Sequence, residues 1–332
     1  MPDQNSEIVP EIEELFPFEM GYLPEEFQEK AIVQLNETAR NKEQSLREMK
    51  DMIELDKTLL GVEIDDDLIV QFLRSEKYDV QEAFTRLKNL INFKRDNMEM
   101  FTGQRYETIS KSIIDNITTY LPFRCRDGCA IIHVNVDNWI PDEFPVLEVK
   151  RMAPILLLQA LREPMTQVNG FKAIINAKSN PLRHLRYCSF QNLYLMYYGS
   201  QFCLPGKFHS YHVVNMSFTG RFCLQLMRTI LPEELKKKIH IHATPEQLLD
   251  HFPAEIIPEI YGGQLGRYDL TGWLKKVMEP EELEKLECHL IIIVSSSFVA
   301  RRIAGREFSA LTMTGYDRLD CQTAQMVDKS ED

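Results

Sequence analysis

Residues 207–243, KFHSYHVVNMSFTGRFCLQLMRTILPEELKKKIHIHA, decide the fold. Residues 208–215 and 238–242 are short runs rich in β-branched and aromatic side chains, which reads as two strands. Between them, Phe222, Cys223, Leu226, Met227, Ile230 and Leu231 recur at helical spacing and share one stripe. A strand, a crossover helix and a second strand imply parallel pairing with a right-handed connection. The stripe has to cover apolar surface, either the protein's own sheet or a lipophilic ligand lying between helix and sheet.

Upstream the pattern repeats. Residues 130–136 (AIIHVNV) form a short apolar run entered from the Arg126–Asp127–Gly128 turn, and residues 171–177 follow the Asn169–Gly170 turn. A helical pattern at 107–120 precedes these strands, and helical sequence separates them at 147–161 and from 178 to about 202; Pro154 is expected to kink or split the helix at 147–161. The expected fold is therefore α/β, a mostly parallel sheet flanked by helices.

Residues 23–100 are different in kind, with helix-forming composition and no strand signal. Pro24 suits a first turn, 25–53 makes one long helix or two, and Asp65 and Asp79 are cap candidates ahead of apolar stripes. The organisation expected is an acidic, disordered lead at 1–22, a helical domain at 23–100, an α/β domain at 101–267 and a helical extension and tail at 268–332.

Composition narrows the function. The chain has 332 residues with 38 Lys and Arg against 50 Asp and Glu, a net charge of −12, which disfavours nonspecific binding to nucleic acid. Its 7 cysteines form no CxxC pair and no zinc spacing, so reduced cytosolic thiols are expected. Residues 1–16 lack the basic start and apolar run of a signal peptide. The expected location is cytoplasmic, peripheral at membranes.

Phosphate-loop, dinucleotide, nucleophile-elbow and zinc-protease signatures are all absent. No catalytic residue and no cofactor is assigned. His240 and His242 face one side of a strand, but sequence supplies no third ligand, so paired structural or surface histidines are expected and no metal.

Four phrases in register now carry a resemblance: VNGFKAII at 168–175, FHSYHVVN at 208–215, KKIHIHA at 237–243 and FPAEIIPEIYGG at 252–263. Together with DDLIVQFLRSEKYDVQEAFTRLKNLINFKR at 66–95, they resemble the CRAL-TRIO family, in its tocopherol- and retinoid-binding branch. The resemblance implies an all-helical N-terminal domain and a lipid-binding domain whose pocket lies under a mobile helical gate, here about 215–238. The expected function is binding and intermembrane transfer of a small hydrophobic ligand such as a tocopherol, retinoid, carotenoid or phospholipid. A regulatory or trafficking module that recruits a protein partner is the alternative, and a lipid-modifying enzyme comes third.

Strand alternation places Phe171, Ala173 and Ile175 on one face of their strand, and Tyr211 and Val213 on one face of the next. By resemblance this face meets the ligand, so the expected ligand-binding residues are Phe171, Ile175, Tyr211, Val213, and Phe222, Leu226 and Met227 on the gate. Tyr211 or Ser217 would orient a polar headgroup. Burying about 400 Å² of ligand is worth about 10 kcal/mol before association costs, enough for apolar contact alone to hold it. The resemblance also implies a phosphoinositide partner at a basic cluster, where Lys207 and Lys238 match. Glu76, Glu234 and His209 stand where that cluster is otherwise basic, and two carboxylates there oppose phosphate binding.

Overall fold

The computed structural model describes residues 15–273 apart from 60, 61, 63, 102–105 and 271. The expected extension at 268–332 therefore lies almost wholly outside the described residues, as do Cys288 and Cys321.

The chain opens with α1 (Glu25–Leu35) and α2 (Ala39–Leu55), which resolves the long N-terminal helix into two. The break is local. Asn36 adopts a left-handed conformation at φ 63°, and Thr38 then accepts a hydrogen bond from Asn41 N to cap the second helix. In α3 (Asp66–Ser75) and α4 (Val80–Asp96), the caps are Asp65, accepting from Leu68 N, and Asp79, accepting from Glu82 N. The short α5 (Met98–Phe101) and α6 (Tyr106–Ile114) lead into the sheet.

Five strands line up in sequence order. They are β1 (Thr118–Tyr120), β2 (Ala130–Asn135), β3 (Phe171–Asn176), β4 (Phe208–Val214) and β5 (Ile239–Ile241). Every pairing from β2 to β5 is parallel, and β1 adds an antiparallel edge. Helical sequence had been expected through 120. Helix α6 instead ends at Ile114, because Asn116 turns left-handed at φ 53° and redirects the chain into β1.

Between β2 and β3 lie α7 (Val146–Ala160) and α8 (Pro164–Asn169). Helix α7 continues unbroken through Pro154, so of the two expected outcomes, a kink or a split, the split does not occur. Gly170 then makes the turn into β3 at φ 68°, and a Cβ there would stand 2.4 Å from Lys207 O, so only glycine fits. Between β3 and β4 come α9 (Pro181–His184), α10 (Phe190–Tyr198) and a π-helical turn, Gly199–Cys203. The crossover from β4 to β5 is α11 (Phe218–Ile230) with the short α12 (Glu233–Lys236). Short 3₁₀ turns follow, including Pro245–Asp250.

The sheet separates two apolar layers. On one face, Ala130, Ile132, Phe171 and Phe208 join Phe72, Leu87 and Phe93 of the N-terminal helices in one continuous core. On the other, Ile131, Ile174 and Val214 pack under Leu248, Phe252, Ile256 and Tyr261. The N-terminal helices are thus docked on the sheet through packed side chains.

The lead expected to be disordered over 1–22 differs in its second part. Residues 15–22 are placed, with Phe18 and Met20 buried. Phe18 stacks on Tyr120 at 4.6 Å, and Met20 N donates to Glu163 Oε2 at 2.7 Å. Residues 1–14 lie outside the described residues.

Candidate functional site

Register sets the two sheet faces. Ala173 pairs with Tyr211, Ile175 with Val213, Tyr211 with Ile239 and Val213 with Ile241, so these residues share the face toward α11. Leu231 and Leu235 close against Tyr197, with Tyr211, Met227, Ile230 and Ile239 packed at the edge of that small cluster.

Helix α11 is poorly buried for a crossover helix. Of its 13 residues only Thr219 is buried, and Phe222 remains 40% exposed. Cys223, Leu226, Met227 and Ile230 on the stripe are half-buried, as are Ile175 and Tyr211 on the sheet, and Met227 and Ile230 pack in the same small cluster as Tyr211. Only Tyr197, Leu231 and Leu235 are buried in the cluster beside α11, against the extended set of buried side chains around Phe72 and Leu87.

Phe171 is placed differently. It is fully buried, 5.2 Å from the Phe208 ring, inside the core under the N-terminal helices. Tyr211, stacked on Phe208 at 5.3 Å, links that core to the layer under α11. Val213 is buried and Ile175 half-buried on the same face.

The polar groups near this layer are engaged. Ser217 caps α11 by accepting from Gly220 N at 3.1 Å and donates its hydroxyl to Ala177 O at 2.7 Å. A Cβ on Gly220 would stand 3.2 Å from Ala177 Cβ, so the first turn of α11 sits close on the residue that follows β3. Tyr211 Oη accepts from Gln201 Nε2 at 2.9 Å, and Gln201 belongs to the π turn. Burial holds the Tyr211 hydroxyl well above the usual phenol range.

One pair was not legible in sequence. Cys188 and Cys223 are joined by a disulfide with a Cα–Cα distance of 5.6 Å, tying α11 to the segment ahead of α10. This corrects the expectation of uniformly reduced thiols. The cysteines are 35 residues apart and match no spacing rule; the packing of α10 on α11 brings them together. Cys125, Cys129 and Cys203 are free and buried.

Lys207 and Lys238 do meet in space. Burial pushes the Lys207 ammonium down, Glu76 opposes that shift, and the charges of Lys77, Arg86 and Lys238 add to it. Glu76 is paired with Arg86 at 2.5 Å, so that carboxylate is shared between the arginine and the charge of Lys207. Glu234 pairs outward with Lys237 at 2.7 Å.

The opposite face of the sheet carries a second constellation. His212 of β4 pairs in register with His240 of β5, and His242 continues the same face. The His212 ring lies 4.9 Å from His240, 5.3 Å from His242 and 4.7 Å from His251, which follows the Pro245–Asp250 turn. The two paired histidines read from sequence are thus half of a four-histidine cluster. Burial and three neighbouring imidazoles hold His212 down to about 3; burial and His251 lower His240, and burial, His251 and His240 lower His242. Lys30, Asp127, Lys172, His209, His212 and His251 help line a cleft of about 450 Å³ here.

Beneath it, Arg124 is 1% exposed. It donates to Phe18 O at 2.5 Å, Pro17 O at 3.2 Å, Gly128 O at 3.2 Å and Thr166 Oγ1 at 3.0 Å, and burial lowers it to about 10. It binds the N-terminal segment to β2 and α8, a role no local pattern discloses.

Comparison with known proteins follows the same lines. Residues 114–263 match the family described as CRAL/TRIO domain. Clavesin-2 of Rattus norvegicus is 26% identical over 264 residues, covering 79% of this chain and 80% of that protein. Alpha-tocopherol transfer protein-like of Mus musculus is 24% identical over 261 residues, covering 78% and 76%. Among solved structures, the crystal structure of Sfh5 aligns with a TM-score of 0.44 and 12% identity, covering 80% of this chain and all of that one at 100%. The matched segment contains all five strands, the crossover helix and the turns that follow, so residues 114–263 are a CRAL/TRIO domain.

Proposed function

We propose that this protein binds a hydrophobic small molecule or lipid between its sheet and α11, and releases it at a membrane surface by displacing that helix. The observation that carries the reading is the half-buried stripe of α11, whose Met227 and Ile230 pack beside half-buried Tyr211. A crossover helix whose only buried residue is Thr219 gains little from its own sheet and has apolar area left for a ligand. The relatives named as alpha-tocopherol transfer protein-like agree with this class of ligand.

The proposed contact set is Ile175, Tyr211 and Val213 on the sheet and Phe222, Leu226 and Met227 on the helix; Phe171, closed in core, supports Tyr211 through Phe208. Met227, unbranched and polarizable, suits a wall that adapts to its ligand. Opening α11 exposes its stripe, which is costly in water and tolerable against a bilayer. No helix among the described residues is long and apolar enough to cross a membrane. Lys207 and Lys238 are the proposed cations for an acidic headgroup there.

The test is organic extraction of the purified chain with mass spectrometry, joined to uptake from liposomes. Recovery of a stoichiometric hydrophobic compound is expected. A protein that yields none from any source and extracts none from liposomes ends this reading.

A further inference from the structure

The histidine cluster lies on the sheet face away from α11, and a lipid held under that helix does not reach it. Its geometry has the character of a ligand set. His212 Nδ1 and His242 Nε2 are 3.1 Å apart, and His212 Nε2 is 2.9 Å from Ser210 Oγ. When the serine oxygen accepts the Nε2 proton, the Nδ1 lone pair is free and points at His242; this is the outer-shell arrangement that orients a metal-bound imidazole. In a tetrahedral site with metal–nitrogen bonds of about 2.0–2.1 Å, two ligand nitrogens stand about 3.3 Å apart. The buried pair is already at that separation.

His251 supplies the third nitrogen. One ring nitrogen each of His212, His242 and His251 falls within 4.8 Å of the other two. Closing the remaining gap takes a shift of about 1.5 Å by the one exposed member, on the loop that follows the Pro245–Asp250 turn. His212 on β4 and His242 directly after β5 are 2% and 7% exposed, and His242 N donates to Val213 O at 2.9 Å, which makes a fixed platform for an exposed third ligand. The cleft beside them also contains Lys172, whose charge is offset by Asp127 at 2.5 Å.

We propose that His212, His242 and His251 bind one borderline divalent transition metal, Zn²⁺ foremost, with the fourth position left to water or to His240. An all-imidazole set selects Zn²⁺, Cu²⁺ or Ni²⁺ over Mg²⁺ and Ca²⁺, which require oxygen. The bound ion would staple the loop at 251 to strands β4 and β5.

The experiment uses the full chain with any purification tag removed, stripped with chelator and titrated calorimetrically with Zn²⁺, then with Co²⁺ as an optical probe. One equivalent is expected, with the absorbance of tetrahedral nitrogen-ligated cobalt and a rise in melting temperature on loading. His251→Ala, at an exposed position, is expected to leave the metal-free melting temperature unchanged and weaken Zn²⁺ binding by about tenfold or more. His209→Gln, in the same cleft and outside the set, is expected to bind normally. No saturable binding to the native chain, unchanged affinity in His251→Ala, or an equal loss in His209→Gln would each overturn the assignment. A thiolate-to-cobalt charge-transfer band would also overturn it, placing the ion at Cys125, Asp127 and Cys129 instead.

Discussion

Cys188 and Cys223 join α11, a helix with a single buried residue, to the segment that precedes α10, across a Cα–Cα distance of 5.6 Å. Helix α11 is therefore held by a covalent bond as well as by packing. Closing a loop of 35 residues stabilises the joined state by about 3–4 kcal/mol on the chain-entropy view. Reduction with dithiothreitol, or Cys223→Ser, is expected to accelerate release of a fluorescent lipid to acceptor liposomes severalfold. Equal release rates for oxidised and reduced protein would separate the bond from the proposed opening.

Leu226→Arg probes the same helix from its apolar side. Leu226 is half-buried, so the substitution removes little core, and the melting temperature is expected to fall by only a few degrees, equivalent to about 1 kcal/mol. Ligand retention through gel filtration should drop about tenfold. Cooperative unfolding at ambient temperature would instead mark the stripe as closed core.

Arg124→Met removes the buried guanidinium that holds Pro17 and Phe18 by their carbonyls. Four acceptors lose a charged donor, and Glu163 loses the positive charge that faces it. The expected cost is about 3–5 kcal/mol in urea unfolding, with earlier proteolysis in the segment before α1. A loss under about 1 kcal/mol would show that packing of Phe18 alone secures that segment.

Acid should destabilise the fold through His133. Its ring is buried 2.8 Å from Tyr261 Oη, and burial lowers it to about 4 from an ordinary 6.5. Between those values the unfolded chain binds the proton that the folded chain refuses, so stability falls as pH drops through this window. The full effect of this group is about 3 kcal/mol, complete near pH 4. His133→Gln should flatten the dependence of urea midpoint on pH over that range, leaving the contribution of the His212 cluster; an unchanged slope would remove His133 as its cause.

The strands were legible because three of them are apolar runs bounded by turn residues, as at Asn169–Gly170 before β3. The crossover helix was legible from its stripe, and the caps at Asp65 and Asp79 from side-chain chemistry alone. β1 escaped because three residues with one partner carry too little alternation to compete with a neighbouring helical pattern. Pro154 misled because burial of Ile155, Leu156 and Leu158 around it outweighs the hydrogen bond that proline removes. The disulfide, the Arg124 anchor and two of the four clustered histidines join residues far apart in sequence, and no periodicity encodes such meetings.

The anchoring of residues 17–20 also sets an order of events during synthesis. Phe18 O waits for Arg124, 106 residues later, and Met20 N for Glu163, 143 residues later. At about 5–20 residues per second, that second partner emerges roughly 7–30 s after Met20 does. Phe18 lacks Tyr120 and Arg124 for most of that interval and Met20 lacks Glu163 for all of it, which makes this early segment among the last to find its place and a natural point of contact for chaperones.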